Sequence, residues 1–539
     1  MVSCGMAAGL TACSDWNDHY ESAADGGAAS GTLWEQMKAN PQLSDFCDVL
    51  EQTKVYRMHK KTPVSYKDIL SGGQSFTVMA PANGTFNKDS LLQLVQTVAG
   101  DSAVEKGFVK NHLTRSLASL TSTASRLLML NQKHLLMENG MIDKVPITVA
   151  NTRASNGLFH ILEHGLSYKH NLYEMFCDNP SLSLIGDNLR RFNEEEFDPD
   201  ASVSNGVIDG VPIYVDSVVY ERNRLLGYKD KEVIGFLNAE DSTYLVVAPT
   251  TEGWNEAYNE VSKYFVFDDT VEKRDSMQQY YTMRALMEDA IFNLTDQKNI
   301  LDSLLSVPYI HTTKTFEKGK KVYHVFRKPF EPGGIMYGAT PLICSNGILF
   351  ATQKWPFNPL DTYFKDIFAE GENEEDLCLK WLYCSKYTRH LTADSISNNA
   401  YLQIVPSTNT SNWEMTFRID NTLSGDYDVC AIILPQSVNG LANTKPCKFK
   451  ATINYTDEQN QSQTFNCGNK QFQSDPERVD TIVLAEAFHF PICNLEQKNQ
   501  AVSIKLTCSI LARETSRYSR EMLLDCIYLR PRTSKSEEQ

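Results

Sequence analysis

The feature that most constrains this chain is a short word written twice. Phe76-Thr77-Val78-Met79-Ala80-Pro81-Ala82-Asn83-Gly84-Thr85-Phe86 returns as Tyr244-Leu245-Val246-Val247-Ala248-Pro249-Thr250-Thr251-Glu252-Gly253-Trp254. Each copy is a β-rich apolar run, then Ala-Pro, small polar residues and an aromatic. Far downstream, each is answered by an Asn-Gly pair inside a second apolar run: Ser155-Asn156-Gly157-Leu158-Phe159-His160-Ile161-Leu162 and Ser345-Asn346-Gly347-Ile348-Leu349-Phe350. Paired signals in the same order predict a duplicated unit. Neither word carries a nucleophile, an acid–base pair or a metal cluster, so the repetition points to binding or scaffolding rather than catalysis.

The physics of the word is legible. Consecutive apolar residues suit a buried strand. Proline has no N–H for the ladder, so Pro81 and Pro249 end that strand. Its fixed φ suits the first turn of a helix, where the neighbouring Asn or Thr can cap free N–H groups. The aromatic, Phe86 or Trp254, then enters the core from that helix. Asn156-Gly157 and Asn346-Gly347 supply φ > 0 for tight hairpin turns.

These words resemble the two signature segments of the fasciclin (FAS1) domain family. In the first copy Ala80, Pro81 and Phe86 open the pattern, Asn111-His112 sits where the family has Tyr-His, and Asn156-Gly157 with His160 closes it. In the second copy Ala248-Pro249 and Asn346-Gly347 match and Trp254 stands for the Phe. There Asp289-Ala290-Ile291-Phe292-Asn293 takes the Tyr-His place without its His, and Ala351 lies where the closing His would be. The resemblance spans roughly residues 30–357 and implies an α+β fold, a β-wedge flanked by helices, with roles in adhesion or surface interaction.

At 539 residues the chain is long enough for three or four domains. Its net charge of −16 repels phosphate, which excludes nucleic acid as a partner. Mean hydropathy is −0.34, and no apolar run is long enough to span a bilayer. Leu10-Thr11-Ala12-Cys13 is similar to a bacterial lipobox, in which Cys13 would be acylated. Ser14 and the acidic residues behind it resemble export tags of surface lipoproteins, and the Gly/Ala/Ser-rich stretch from Ser22 to Thr32 reads as a flexible tether. Acyl chains and a tether anchor a protein to a membrane without crossing it. Of 13 Cys, eight lie in the last third, and no C-x-x-C occurs. Their spread favours buried thiols, with one or two disulfides the alternative in an oxidising compartment.

Apolar spacing predicts helices over 33–60, 101–116, 118–135 and 272–307, strands around Pro146, and a hairpin from Val203 to Asp216. Beyond Asn358 the texture changes. Glu370-Gly371-Glu372-Asn373-Glu374-Glu375-Asp376 reads as a solvated loop. Alternating runs at 401–405, 413–419, 427–434, 447–455, 481–487, 502–510 and 522–529 predict an antiparallel β-sandwich. The expected organisation is therefore a signal remnant and tether (1–32), two FAS1-like domains (33–170 and 171–357) and a C-terminal β-sandwich (358–539), a possible carbohydrate-binding module.

His160 and His164 share a strand face but stand roughly 13 Å apart, too far for one ion. Asp198 to Asp209 alternates oxygen donors but lacks the Gly and Glu of a calcium loop. No metal, cofactor or catalytic set is expected. Trp381, Tyr387 and Trp413 are candidate stacking platforms for sugar rings, whose C–H faces match an aromatic plane. The expected function is a non-catalytic lipoprotein, anchored in the outer membrane and facing outward. It would bind polysaccharide, or an importer complex, as an accessory to a polysaccharide-uptake system. The alternative is an adhesin acting through the FAS1 pair.

Overall fold

The computed structural model describes residues 31–57, 60–208, 211–226, 234–293, 309–311, 315–317, 320–322, 324–392, 396–440, 444–468, 471–496 and 502–533. Cys13 and residues 22–30 of the tether lie outside them. Two compact units are present. The first runs to Lys169 and includes Asp198–Val219; the second holds His170–Phe197 and the chain from Tyr220.

Each unit contains one copy of the repeated word, and the two copies fold alike. Phe76–Pro81 is a wholly buried strand, and Tyr244–Pro249 is buried from Leu245 onward. Both pair in parallel with the strand that opens at the Asn-Gly glycine: Phe76↔Gly157 through Pro81↔Leu162, and Tyr244↔Gly347 through Pro249↔Thr352. On the other side each takes a short antiparallel strand, Leu113–Thr114 or Ile291–Asn293. The Gly157 strand then pairs with Val145–Ala154, and the Gly347 strand with Thr340–Cys344. The strand order is the same in both sheets, and the first continues through Met141–Ile142, His134–Glu138 and Ser125–Leu128. Strands enclosed on both faces read as continuous apolar runs. Val78 and Ala80 face one buried cluster while Met79 faces another; Val246 and Ala248 are likewise opposed to Leu245 and Val247.

The Asn-Gly pair works differently from a simple hairpin turn. Ser155 and Asn156 are the two loop residues, and Gly157 begins the next strand at φ +145°. Asn156 does not have positive φ; its buried side chain is the hub instead. Its Oδ1 accepts from Leu33 N (2.7 Å), and Nδ2 donates to Leu70 O (2.9 Å) and Gly72 O (2.7 Å). Asn346 repeats this, accepting from Leu172 N (2.8 Å) and donating to Leu237 O (2.9 Å) and Ala239 O (3.0 Å). The Leu33 and Leu172 helices that Asn156 and Asn346 anchor both begin with a capping box, Thr32 with Glu35 and Asn171 with Glu174. After each helix comes Asn-Pro, at 40–41 and at 179–180, a second repeated signal.

The copies diverge after the proline. In the second, a helix over Thr251–Val261 buries Trp254 completely, as expected, though Thr250 at its N-cap position makes no side-chain capping hydrogen bond. In the first no helix starts until Lys88, because Gly84 turns the chain at φ +72°. Asn83 instead caps the Ser44–Gln52 helix from outside, accepting from Asp45 N at 2.9 Å. Phe86 is half-buried there, 5.1 Å from Phe108.

The expected helix over 118–135 is absent: Ser125–Leu128 is a strand with only Leu127 enclosed, and His134 opens another. Helix over 272–307 is realised as Arg274–Met287, and residues 294–308 lie outside the described part. Asn193–Ile208 and Val211–Asn223 pair as the expected hairpin, so the Asp198 segment is strand rather than loop; Asp209 is not described.

Beyond residue 358, all seven expected strand runs are strands. With five further strands they form two antiparallel six-stranded sheets. Inward residues of both sheets, such as Val429, Ala431 and Leu524 facing Met415, Phe417 and Ile504, join one buried cluster. That cluster runs without a break to Trp254, Phe265 and Leu172. The acidic stretch is not a solvated loop. Glu370 ends the strand Ile367–Glu370, is 5 % exposed, and pairs across to Cys526. The eleven cysteines among the described residues are all free thiols, nine of them buried.

Candidate functional site

Strand alternation builds the outer face of one sandwich sheet. Along Met522–Arg532, Leu524, Ile527 and Leu529 point inward, so Tyr528, Arg530 and Arg532 point outward. In the neighbouring strand Gly425–Leu434, Val429 and Ala431 point inward and Asp428 outward, opposite Arg530 in the register. On the other side Phe368 stands opposite Tyr528. The result is a cleft of about 860 Å³ lined by Leu360, Phe364, Lys365, Asp366, Phe368, Asp428, Arg530, Pro531 and Arg532.

Asp428 is the buried post of this site, 1 % exposed. Its Oδ2 accepts from Arg530 Nη2 at 2.6 Å, and its Oδ1 lies 2.7 Å from Arg532 Nε and accepts from Ala487 N at 3.0 Å. Burial pushes its carboxyl upward, but the hydrogen bonds from Arg530, Ala487 and Arg532 outweigh it and hold the group below the usual carboxylate range. Asp428 is therefore ionised and fixes two guanidinium groups in place. Phe368 is 40 % exposed and stacks on Tyr528, with ring centroids 5.4 Å apart and planes 19° off parallel. Burial, then the neighbouring Cys430, push the Tyr528 hydroxyl up to about 12, so it stays neutral. On the remaining wall Lys365 donates to His324 Nε2, which leaves the ring proton on Nδ1 for Asp289. Aromatic surface beside a fixed cationic pair can hold a ring that carries polar or charged substituents.

Next along the same strands, Asp525 is 1 % exposed and accepts from Ser397 N at 3.1 Å. Burial, and then the charges of Glu370 and Glu372, push its carboxyl up to about 7 against the Ser397 N–H. Among the described residues no three His, Cys, Asp or Glu side chains converge in a way that would hold a metal ion.

The aromatics expected to bind glycan are not brought together. Trp413 is a correction: it is wholly buried, with Nε1 donating to Arg520 O, and a buried ring offers no face to a sugar. Trp381 is 46 % exposed, but the Lys386 ammonium sits over its ring at 4.2 Å. Tyr387 is 47 % exposed and lies on a strand of the cleft's own sheet, whereas Trp381 lies on the opposite sheet; Arg389 sits against the Tyr387 ring at 5.3 Å. The cleft residues were missed. Their signal was a pair of acids at alternate positions, Asp426 and Asp428, and a pair of arginines at alternate positions, Arg530 and Arg532, each interrupting an apolar strand.

The family's two histidine places are also settled by register. His112 is fully buried; its Nδ1 bonds Phe108 O at 2.8 Å and its Nε2 accepts from Leu166 N at 2.9 Å. His160 bonds Ala118 O at 2.8 Å and accepts from Asn151 N at 3.3 Å. The two are not paired with each other. In the second copy Ala290 takes the place of His112, and Phe350, not Ala351, takes the place of His160.

No family model and no curated protein matches this chain. Among solved structures it is similar to a FAS1 domain pair from the insect cell adhesion molecule Fasciclin I, at 11% identity and a TM-score of 0.20, over 61% of this chain and 97% of that one. It is similar to a family 11 carbohydrate-binding module from Clostridium thermocellum, in complex with a mixed-linked tetrasaccharide, at 11% identity and a TM-score of 0.19, over 31% and 95% of the two chains. A xylan-binding domain from Paenibacillus barcinonensis aligns at 11% identity and a TM-score of 0.19, over 28% and 85%. Likenesses this slight carry no functional argument; the geometry of the cleft does. No helix among the described residues is long and apolar enough to cross a membrane.

Proposed function

We propose that this chain is a non-catalytic surface protein that holds glycan in the cleft between Phe368 and Arg532. One observation carries the reading: an exposed aromatic ring lies beside two arginines anchored by a buried carboxylate. The repeated words, the shared sheet order and the matched asparagine hubs support membership of the fasciclin family for the two α+β folds. The lipobox-like Leu10-Thr11-Ala12-Cys13 and the tether behind it support acylation at Cys13 and anchoring in the outer membrane, facing outward. In that place the protein serves as an accessory to polysaccharide uptake, beside an importer complex.

Affinity electrophoresis of the whole chain against a panel of polysaccharides tests the reading. Retardation by at least one of them, lost in Phe368→Ala, is the expected result; uniform mobility across the panel overturns it. The doubled α+β fold favours a second reading, an adhesin. Because one core runs across residue 358, truncation there would disturb both parts. Phe368→Ala separates them better: cell adhesion that survives the substitution belongs to the α+β pair.

A further inference from the structure

We propose that the cleft takes an acidic glycan, one whose sugars carry carboxylate or sulfate groups; this rests on the glycan-binding reading above. The chain as a whole carries −16, yet the charged lining of the cleft is Lys365, Arg530 and Arg532 against Asp366 and Asp428. The cleft is a cationic spot on an acidic protein. Asp428 is nearly closed to solvent and holds both guanidinium groups from behind, through Arg530 Nε and Nη2 and Arg532 Nε. Arg530 Nη1 and both terminal nitrogens of Arg532 make no hydrogen bond among the described residues, on side chains 50% and 37% exposed. They are fixed behind and open in front.

A guanidinium held this way loses little freedom on binding. Its planar fork matches a carboxylate or sulfate, with charge-assisted bonds shorter and stronger than those to a neutral hydroxyl. The aromatic platform is placed to suit. Tyr528, under Phe368, lies two residues before Arg530 on the same strand face, roughly 7 Å away, about the reach from one sugar ring to a substituent of the same or the next ring. A sugar stacked on Phe368 therefore presents its acid group to the arginines, and Lys365 adds a third cation at the wall. Elsewhere the acidic surface repels a polyanion, so preference for one cannot arise from general attraction.

Titration calorimetry of the full chain against polygalacturonate, its methyl-esterified form, dextran sulfate and dextran tests the proposal. The expected result is that one anionic polymer binds at least about ten-fold more tightly than its uncharged counterpart. Which of the two does so names carboxylate or sulfate. Arg532→Gln lowers that affinity about ten-fold in a chain that still unfolds cooperatively in urea, at a lower midpoint because Asp428 loses a partner, and binding of the unsubstituted protein weakens from about 50 to about 500 mM salt. Equal affinity for charged and uncharged polymers, both lost in Phe368→Ala, overturns the acidic class while leaving glycan binding intact. Failure of all four polymers, together with every neutral polysaccharide of the wider panel, removes both.

Discussion

At His112 both ring nitrogens are committed, one to Phe108 O and one to Leu166 N–H, in a site closed to water. Burial pushes its ionisation down to about 4, against the upward pull of the Phe108 carbonyl. The folded value lies below the ordinary 6.5, so the unfolded chain takes up a proton that the folded chain refuses. Stability from this group is whole above pH 6.5, falls as the pH drops, and levels off near pH 4. The shift corresponds to about 3 kcal/mol. His160 is lowered by burial in the same direction and adds to the slope. Urea melts of the first unit between pH 7 and 4 are expected to show the loss, and His112→Gln to flatten much of it. A wild-type midpoint that does not move over this range would contradict the assignment.

At the scale of the element, the parallel pair of strands depends on a glycine. A Cβ on Gly157 would stand 2.0 Å from Phe76 O, and one on Gly347 1.9 Å from Tyr244 O. No side chain fits without parting the two central strands. Gly84 is the control: its φ is +72°, yet nothing lies within 4 Å of a Cβ there. Gly84→Ala is expected to cost about 1–2 kcal/mol from backbone conformation alone. Gly157→Ala should cost more than about 3 kcal/mol, because the ladder and the asparagine hub move with it. Chemical denaturation of both variants decides the matter, and equal losses would show that φ, not the close carbonyl, fixes the residue.

Over the whole molecule, the largest core of the second unit runs unbroken from its α+β part into the sandwich. Tyr264–Asp269 is bonded to the sandwich through Ser424 N to Tyr264 O (3.0 Å), Cys493 N to Val266 O (2.6 Å) and Asp269 N to Glu458 O (3.1 Å). Tyr264 packs on Phe364 at 4.5 Å. Removing residues 358–539 is expected to abolish cooperative unfolding of the remaining second unit, visible as loss of protease resistance over 170–357. A shortened chain with an unchanged calorimetric transition would refute this. Much of the architecture was legible beforehand: the two words, their prolines and glycines, and seven sandwich strands, because period and turn chemistry are local. The 118–135 stretch misled, since its buried apolar residues, Ala118, Leu127, Met129 and Leu135, reach their cluster from strands and loops, while Leu128 faces out. The place of the second closing histidine was misjudged by one residue, which strand register corrects to Phe350. Sequence by itself determined that an α+β unit was repeated and that its Asn-Gly pairs matter, because buried strands and sharp turns tolerate few residue types. Only the tertiary structure decided which polar residues share a face. Phe368, Asp428 and Arg530 lie far apart along the chain, and strand register alone brings them to one cleft while sealing Trp413 inside.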